Sequence, residues 1–390
     1  MPKKRIAILG STGTIGINTL KVCRQLSDEL EVVGLAVHSN IPLLLEQIKE
    51  FKPRYVSVMD PDKSWELQAQ LKRESIPMDD IHTGMEGLVS IATLPEVDMV
   101  VIATVGAIGL LPTMEAIDAG KQIALANKEV LVMAGELVMT SARSQNVPIL
   151  PIDSEHNAIY QCLMGQSKKD IHKILLTGSG GPFRKHMESF EKITPEQALK
   201  HPTWNMGRKI TIDSSTLMNK SLELIEATHL FGIPAEQIEV VIHPQSIIHS
   251  MVEFVDGSII AQMGVTDMYL PIQFALMYPH RHRAPGHYLD LHSIQQLTFE
   301  KPDLNRFPCL RLGYEAINTG GTMPAVMNAA NEIAVKSFLD KEISFPQLSE
   351  LIEATMQEHT VITHPDLDQV LHSDIWGRNK ALTLIEQKYR

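Results

Sequence analysis

Six short apolar runs, at residues 5–9, 31–37, 55–59, 99–103, 122–126 and 148–152, recur through the first part of the chain, mostly separated by stretches with amphipathic helical spacing. Strands alternating with helices predict a parallel, doubly wound sheet. Such strands deliver their C-terminal ends to one edge, and ligands bind outside that edge where the strand order reverses. The turn after the first run reads Gly10-Ser-Thr-Gly13-Thr-Ile-Gly16. Glycines there let the backbone turn sharply and approach a pyrophosphate at the helix N-terminus, so this strand–turn–helix context predicts a nucleotide site.

Two further polar groups reach the same edge. Asn127-Lys128-Glu129 follows the fifth run, and Asp153-Ser154-Glu155 follows the sixth. In extended chain, Asp153 and Glu155 point to one side. Two carboxylates aimed at one spot repel each other, bind a hard cation through oxygen, or shift their pKa values for acid–base work. The end of the second strand reads His38-Ser39-Asn40. An NAD site usually places an acid there for the ribose hydroxyl, and its absence favours NADP, although no Arg or Lys stands in those three positions to hold a 2′-phosphate.

The length of 390 residues predicts two or three domains, and the 44 % hydrophobic and 21 % charged composition is that of an ordinary globular protein. A formal charge of −11 argues against a general nucleic-acid or acidic-membrane binder, so an anionic substrate needs a local basic site. The most apolar run, residues 99–111, is interrupted by Thr104 and two glycines and stopped by Pro112, well short of the ~20 residues a bilayer needs. The N-terminus runs directly into a strand, with no expected leader. Cys23, Cys162 and Cys309 lie far apart without metal-ligand spacing, which suits a reducing cytoplasm.

Residues 214–231 read as one helix with Asp213 and Ser214 as N-cap types. It puts Asn219, Lys220, Glu223 and Glu226 on one face, either as a phosphate and metal face or as a surface salt bridge from Lys220 to Glu223. Upstream, residues 201–209 pack His201, Trp204, Arg208 and Lys209 into a lid-like segment, and Gly178-Ser179-Gly180-Gly181-Pro182 offers a hinge or a phosphate cradle. His243 precedes a proline and reads as a structural histidine, residues 280–283 as a solvated basic turn, and Asp256-Gly257 as a hairpin turn. Residues 311–318, 325–339 and 345–358 have helical spacing, broken by Gly320-Gly321 and Pro346, and predict a C-terminal helical bundle.

Taken together, the glycine loop, Ala126-Asn-Lys-Glu129, Asp153-Ser-Glu-His-Asn157, Thr177-Gly-Ser-Gly-Gly-Pro182, residues 201–220 and His243-Pro-Gln-Ser-Ile-Ile-His249 resemble the 1-deoxy-D-xylulose 5-phosphate reductoisomerase family, in order and over nearly the whole chain. The resemblance implies isomerisation and reduction of that phosphosugar to 2-C-methyl-D-erythritol 4-phosphate with NADPH and Mn²⁺ or Mg²⁺, in non-mevalonate isoprenoid synthesis. It further implies a homodimer and a C-terminal helical domain; the cysteines point to the cytoplasm, and the charge and hydropathy to no nucleic-acid or membrane partner. The fold class expected is α/β: a Rossmann-like NADPH domain over 1–150, an α+β catalytic domain over 151–298 with a flap near 179–208, and a linker and helical bundle over 299–390. Carried over by residue, Asp153, Glu155 and Glu223 match metal ligands and, with Lys128, the catalytic set. Ser179, Ser214, Asn219 and Lys220 match a phosphate pocket. Lys128, Ser154, Glu155, Glu223, His201 and His249 match substrate contacts, and Trp204 and Met206 match the flap. Gly10, Ser11, Thr12, Gly13, Thr14, Ile15, His38, Ser39, Asn40, Asn127, Lys128, Glu129 and Gly207 are the expected cofactor contacts. Many relatives carry a basic residue where this chain has His38-Ser39.

Two other readings compete. An NADP-dependent semialdehyde dehydrogenase shares a glycine loop and a two-domain plan but needs a nucleophilic cysteine, for which Cys162 is the candidate. A non-catalytic NADP-binding protein would use the carboxylates only to cap the sheet and would show no metal dependence.

Overall fold

The computed structural model describes residues 2–388 apart from positions 79, 187, 205 and 287. Positions 187 and 205 of the expected flap therefore lie outside the described residues. In chain order the first elements are β1 (Lys4–Leu9), α1 (Thr14–Gln25), β2 (Leu30–Val37), α2 (Ile41–Phe51), β3 (Tyr55–Val58), α3 (Pro61–Glu74), β4 (Asp80–Thr83), α4 (Gly84–Thr93) and β5 (Met99–Ile102). Then come α5 (Leu110–Asp118), β6 (Gln122–Leu125), α6 (Glu129–Ser144), β7 (Ile149–Pro151), α7 (Ser154–Cys162), β8 (Ile171–Gly178), α8 (Pro195–Ala198), α9 (Arg208–Thr216) and α10 (Met218–Phe231). The remainder is β9 (Ile238–Ile242), β10 (Ile248–Phe254), β11 (Ile259–Met263), α11 (Tyr269–Met277), α12 (Pro308–Thr319), α13 (Met323–Leu339), α14 (Phe345–Gln357) and α15 (Leu367–Lys388). The chain divides into two compact units, one of residues 1–130, 138–157 and 268–286, the other of 131–137, 158–267 and 287–390.

The first unit holds a seven-stranded parallel sheet in the order β4-β3-β2-β1-β5-β6-β7. Chain order runs outward from β1 in both directions, so the switch point lies between β1 and β5. The strands are apolar throughout because helices cover both faces: Ile6 to Leu9 and Met99 to Ile102 are all fully buried. One strand, β4, was not anticipated. It is four residues long and half exposed, an edge strand held by register with β3 rather than by its own burial. Downstream, α11 packs against α1 and β7, and Lys4 Nζ donates to Leu276 O at 2.6 Å.

The second unit has a mixed sheet, β11-β10-β8-β9, in which β8 and β9 are parallel and β10 is antiparallel to both β8 and β11. As expected, β10 and β11 form a hairpin around Asp256 and Gly257, where Gly257 takes φ +84° and Asp256 Oδ1 accepts from Ser258 N at 2.9 Å. Helices α12 to α15 form the expected bundle, with α13 packed against α12, α14, α15 and α9. Its core includes Leu310, Met327, Phe338, Leu351 and Ile352. Pro346 does not break α14 but lies in its first turn, where a missing N–H costs nothing. The bundle gains a fourth helix, α15, whose buried stripe of Val370, Ser373, Asp374, Gly377, Ala381, Leu384 and Ile385 is too polar and small to read as apolar periodicity. A Cβ on Gly377 would lie 3.0 Å from Ala329 Cβ, so this glycine sets a close approach of α15 to α13.

The single helix expected over 214–231 is two. Asp213 and Ser214 lie inside α9, and Leu217 turns the chain at φ +63° before α10 begins. The hydroxyls preceding the break explain it. Ser215 Oγ donates to Ile212 O at 2.7 Å, Thr216 Oγ1 donates to Asp213 O at 3.2 Å, and Thr216 Oγ1 also accepts from Met218 N at 3.3 Å, capping the new helix.

Candidate active site

In the first unit, the glycine loop turns at the switch point. Gly10 has φ +94°, and a Cβ there would meet Ala103 O at 2.5 Å. On Gly16 a Cβ would meet Gly10 O at 2.3 Å, so helix α1 can start this close to β1 only with glycine. Gly13 caps α1 without a side-chain bond, which leaves the helix N-terminus to an anion. Ser11 is fully buried; its Oγ donates to Gln47 Oε1 at 2.7 Å, while Thr12, Gly13, Thr14 and Ile15 are partly or fully exposed. At the end of β2, His38 is exposed, and Asn40 Oδ1 caps α2 by accepting from Leu43 N at 3.3 Å, with Ser39 between them.

At the end of β6, Asn127 Nδ2 donates to Thr104 Oγ1 at 3.1 Å and to Gly106 O at 2.9 Å, tying the β5 and β6 exits together. Lys128 Nζ pairs with Asp153 Oδ2 at 2.7 Å, with side chains only 6 % and 12 % exposed. This places an ammonium and a carboxylate at neighbouring strand ends, β6 and β7, as the sequence suggested. Ser154 Oγ donates to Glu155 Oε2, and Glu129 is buried at the start of α6.

In the second unit, β8 ends in the turn Ser179-Gly180-Gly181-Pro182. Gly180 and Gly181 have φ +83° and +68°, and a Cβ on Gly181 would lie 2.6 Å from Ser214 O. His201 Nε2 lies 3.1 Å from both Ser179 Oγ and Ser214 Oγ. The backbone N–H groups of Thr203 and Trp204 point at Nδ1, at 3.2 and 2.9 Å. Nδ1 therefore accepts, and the neutral ring carries its proton on Nε2. That proton is shared by the two serine oxygens, which keeps both hydroxyl hydrogens available to donate to an anion.

Lys220 Nζ donates to Thr177 O at 2.8 Å and to Glu223 Oε2, and Asn219 Nδ2 donates to Glu223 Oε1. Lys220 is 5 % exposed and Glu223 1 %, so this is a buried pair and not the surface salt bridge that the sequence also allowed. Trp204 tilts against the His249 ring with centroids 6.3 Å apart, Met206 is half-buried, and Gly207 caps α9. Thr177, which anchors Lys220 through its carbonyl and donates from Oγ1 to Ile248 O and His249 O, escaped the sequence reading because its role is backbone-mediated. His243, buried, donates from Nδ1 to Thr298 O at 2.9 Å and accepts at Nε2 from Ile247 N at 3.3 Å, which agrees with the structural reading.

Comparison with known proteins follows the same blocks. Family models described as 1-deoxy-D-xylulose 5-phosphate reductoisomerase, its C-terminal domain, and the DXP reductoisomerase C-terminal domain match residues 6–135, 149–231 and 263–380. The reductoisomerase of Chlorobium chlorochromatii is 53 % identical over 98 % of this chain and 100 % of its own length. That of Clostridium perfringens is 54 % identical over 95 % of this chain and 97 % of its own. The chain belongs to the 1-deoxy-D-xylulose 5-phosphate reductoisomerase family. Among solved reductoisomerases, the Zymomonas mobilis enzyme in complex with NADPH aligns with TM-score 0.91 and 42 % identity over 99 % of this chain and 100 % of that one. A complex with NADPH, fosmidomycin and magnesium aligns with TM-score 0.93 and 41 % identity over 98 % of both chains.

The reductoisomerase assignment agrees with the cysteines. Cys162 is 4 % exposed, and burial pushes its thiol up to about 11, so it is a poor nucleophile for semialdehyde chemistry. Burial, with the Lys220 charge second, holds His201 down at about 4 from 6.5, and burial alone does the same to His229 against the weaker pull of Glu136. A histidine whose folded pKa lies below its unfolded value leaves the unfolded chain binding more protons in between. Stability should therefore be full above pH 6.5 and fall as pH drops toward about 4. Melting curves across that window should show the loss, and His229→Gln should show a shallower one; parallel curves would contradict the assignment.

Proposed function

We propose that this chain isomerises 1-deoxy-D-xylulose 5-phosphate and reduces the product to 2-C-methyl-D-erythritol 4-phosphate with NADPH and a divalent ion, in non-mevalonate isoprenoid synthesis. The observation that carries the reading is the His201 imidazole shared by Ser179 and Ser214 beside the Lys220 charge, in a chain matched over its length by reductoisomerases. One such relative binds NADPH, fosmidomycin and magnesium.

The residues fit the cofactors. The glycine turn whose Cβ positions are filled by backbone suits a pyrophosphate at α1, so Gly10, Thr12, Gly13, Thr14 and Ile15, with Ser11 through its backbone, would hold NADPH. We add His38, Ser39, Asn40, Asn127, Lys128, Glu129 and Gly207 as further contacts. The exposed His38 is the group in that loop suited to a 2′-phosphate. Carboxylate oxygens are hard donors, which suits Mg²⁺ or Mn²⁺ on Asp153, Glu155 and Glu223. A divalent ion held there supplies Lewis acidity toward the carbonyl and hydroxyl oxygens of the sugar. Bound NADPH supplies the hydride.

The chain's own groups do the rest. Ser179, Ser214, Asn219 and Lys220 bind the phosphate, the serines by O–H donation and Lys220 by charge. Lys128 Nζ holds a proton where negative charge develops on a sugar oxygen, and Ser154 and His249 orient the chain of hydroxyls. Trp204 and Met206 close over the substrate and exclude water, using binding energy from the remote phosphate. The roles divide as 1–150 for NADPH, 151–298 for metal and substrate, and 299–390 for support.

We also propose a cytoplasmic homodimer. The edge strand β11 exposes Ile259 by 51 %, Ile260 by 40 % and Met263 by 36 %, a row that a second copy would cover. Among the described residues no helix is long and apolar enough to cross a membrane. The function is tested by following NADPH oxidation with the phosphosugar before and after EDTA. Turnover should vanish on chelation and return with Mn²⁺ or Mg²⁺; unaltered turnover would contradict the metal role, and no turnover under any condition would favour the non-catalytic reading.

A further inference from the structure

One charged group in the second unit lies against the phosphate residues and has no part in the chemistry above. Asp213, only 1 % exposed, sits on α9 immediately before Ser214. Its Oδ1 accepts from Asn331 Nδ2 at 2.9 Å, and its Oδ2 pairs with Lys209 Nζ at 3.0 Å. Asn331 belongs to α13 and is itself 2 % exposed.

Burying a carboxylate costs several kcal/mol unless it is paired and hydrogen-bonded, and an apolar side chain would fill the space between helices at least as stably. What the charged group adds is direction. Packing of Ile212 and its apolar neighbours sets how closely α9 lies on α13 but leaves the helix able to roll or slide, whereas the bond from Asp213 to Asn331 of α13 favours one rotation; Lys209, one turn earlier on α9 itself, balances the charge and holds the carboxylate in place. The rotation matters here more than elsewhere. Helix α9 spans only nine residues, it ends at the positive-φ Leu217, and its Ser214 must meet His201 Nε2 at 3.1 Å while its carbonyl lies against Gly181.

We infer that Asp213 is a positioning residue: held by Asn331 of α13, with its charge balanced by Lys209 of its own helix, it fixes the rotation of α9 so that the Ser214 hydroxyl faces His201 and the bound phosphate. The C-terminal bundle thereby acts on substrate binding without touching substrate. This inference rests on the phosphate-pocket reading above.

The test compares Asn331→Leu, Asp213→Asn and Ser214→Ala in the full-length enzyme. For each, KM for the phosphosugar, kcat, NADPH Kd and Tm are measured. Asn331→Leu removes the α13 bond without touching α9, and it remains informative if Asp213→Asn folds poorly. Asp213→Asn keeps an acceptor for Asn331 but sets an uncharged amide against Lys209. A tenfold change corresponds to about 1.4 kcal/mol, close to one hydrogen bond to a charged group, so KM should rise by about tenfold in Asn331→Leu and by less, about threefold, in Asp213→Asn, which keeps the bond to α13 in weaker form. In Asn331→Leu, kcat should stay within about twofold and NADPH Kd should be unchanged, because only phosphate binding is lost. A purely structural role would lower Tm with KM unchanged. That result, together with a raised KM in Ser214→Ala, would overturn the inference and leave the pocket intact; an unchanged KM in all three would overturn both.

Discussion

Replacing Glu223 by glutamine should lower kcat/KM by about 10³, or ~4 kcal/mol of transition-state stabilisation, while leaving NADPH affinity within about twofold. The side chain is 1 % exposed and accepts from both Lys220 and Asn219, so it is held rigidly before any ligand arrives. Glutamine preserves the shape and one acceptor for Lys220 but removes the negative charge that a hard cation needs. The change also leaves the Lys220 ammonium, 5 % exposed, with a neutral partner. Losing one member of a buried pair outright costs about 3–5 kcal/mol, and the retained amide oxygen should hold the loss well below that. Tm therefore serves as the control. Glu223 lies on α10, remote in sequence from the glycine loop, so NADPH titration should be unaffected. Loss of NADPH affinity with unchanged metal affinity would contradict the assignment of this glutamate.

The second large effect concerns the other end of the chemistry. In Gly10→Ala, the new methyl group would stand 2.5 Å from Ala103 O and 2.7 Å from Ala103 C, both backbone atoms of the β5 exit, at φ +94°. Neither neighbour can swing away as a side chain would. Backbone strain of about 1–3 kcal/mol adds to overpacking of similar size, so β1 and β5 must separate where the pyrophosphate would sit. NADPH affinity should fall by at least about 10²-fold, equivalent to ~2.7 kcal/mol, with a clear drop in Tm. Gly13→Ala is the matched control: φ is −79°, and its Cβ would lie 3.4 Å from Gly10 O, within ordinary contact. It should fold nearly as well as the parent. Equal Tm and equal NADPH affinity for Gly10→Ala and the parent would contradict the placement of the loop.

What could be seen in the sequence depended on how local the cause was. The glycine turn and the parallel sheet were legible because Gly10, Gly13 and Gly16 stand between an apolar run and a helical stretch, and each strand carries its burial in its own residues. The β4 edge strand was not, since its half-exposed residues are placed by pairing with β3. The break between α9 and α10 was hidden because it falls on Leu217, an apolar residue at positive φ that periodicity counts as helical. The buried state of the Lys220–Glu223 pair was open in sequence, where an i,i+3 spacing fits a surface bridge equally well. The bond from Asn331 to Asp213 spans 118 positions and belongs to no motif.

A divalent ion shared by Asp153, Glu155 and Glu223 is the centre of the proposed chemistry. Crystals grown with NADPH and Mn²⁺, measured at the manganese absorption edge, test this most directly. A single strong anomalous peak per chain is expected, within bonding distance of a carboxylate oxygen from each of the three residues. A manganese peak elsewhere, or none, would contradict it.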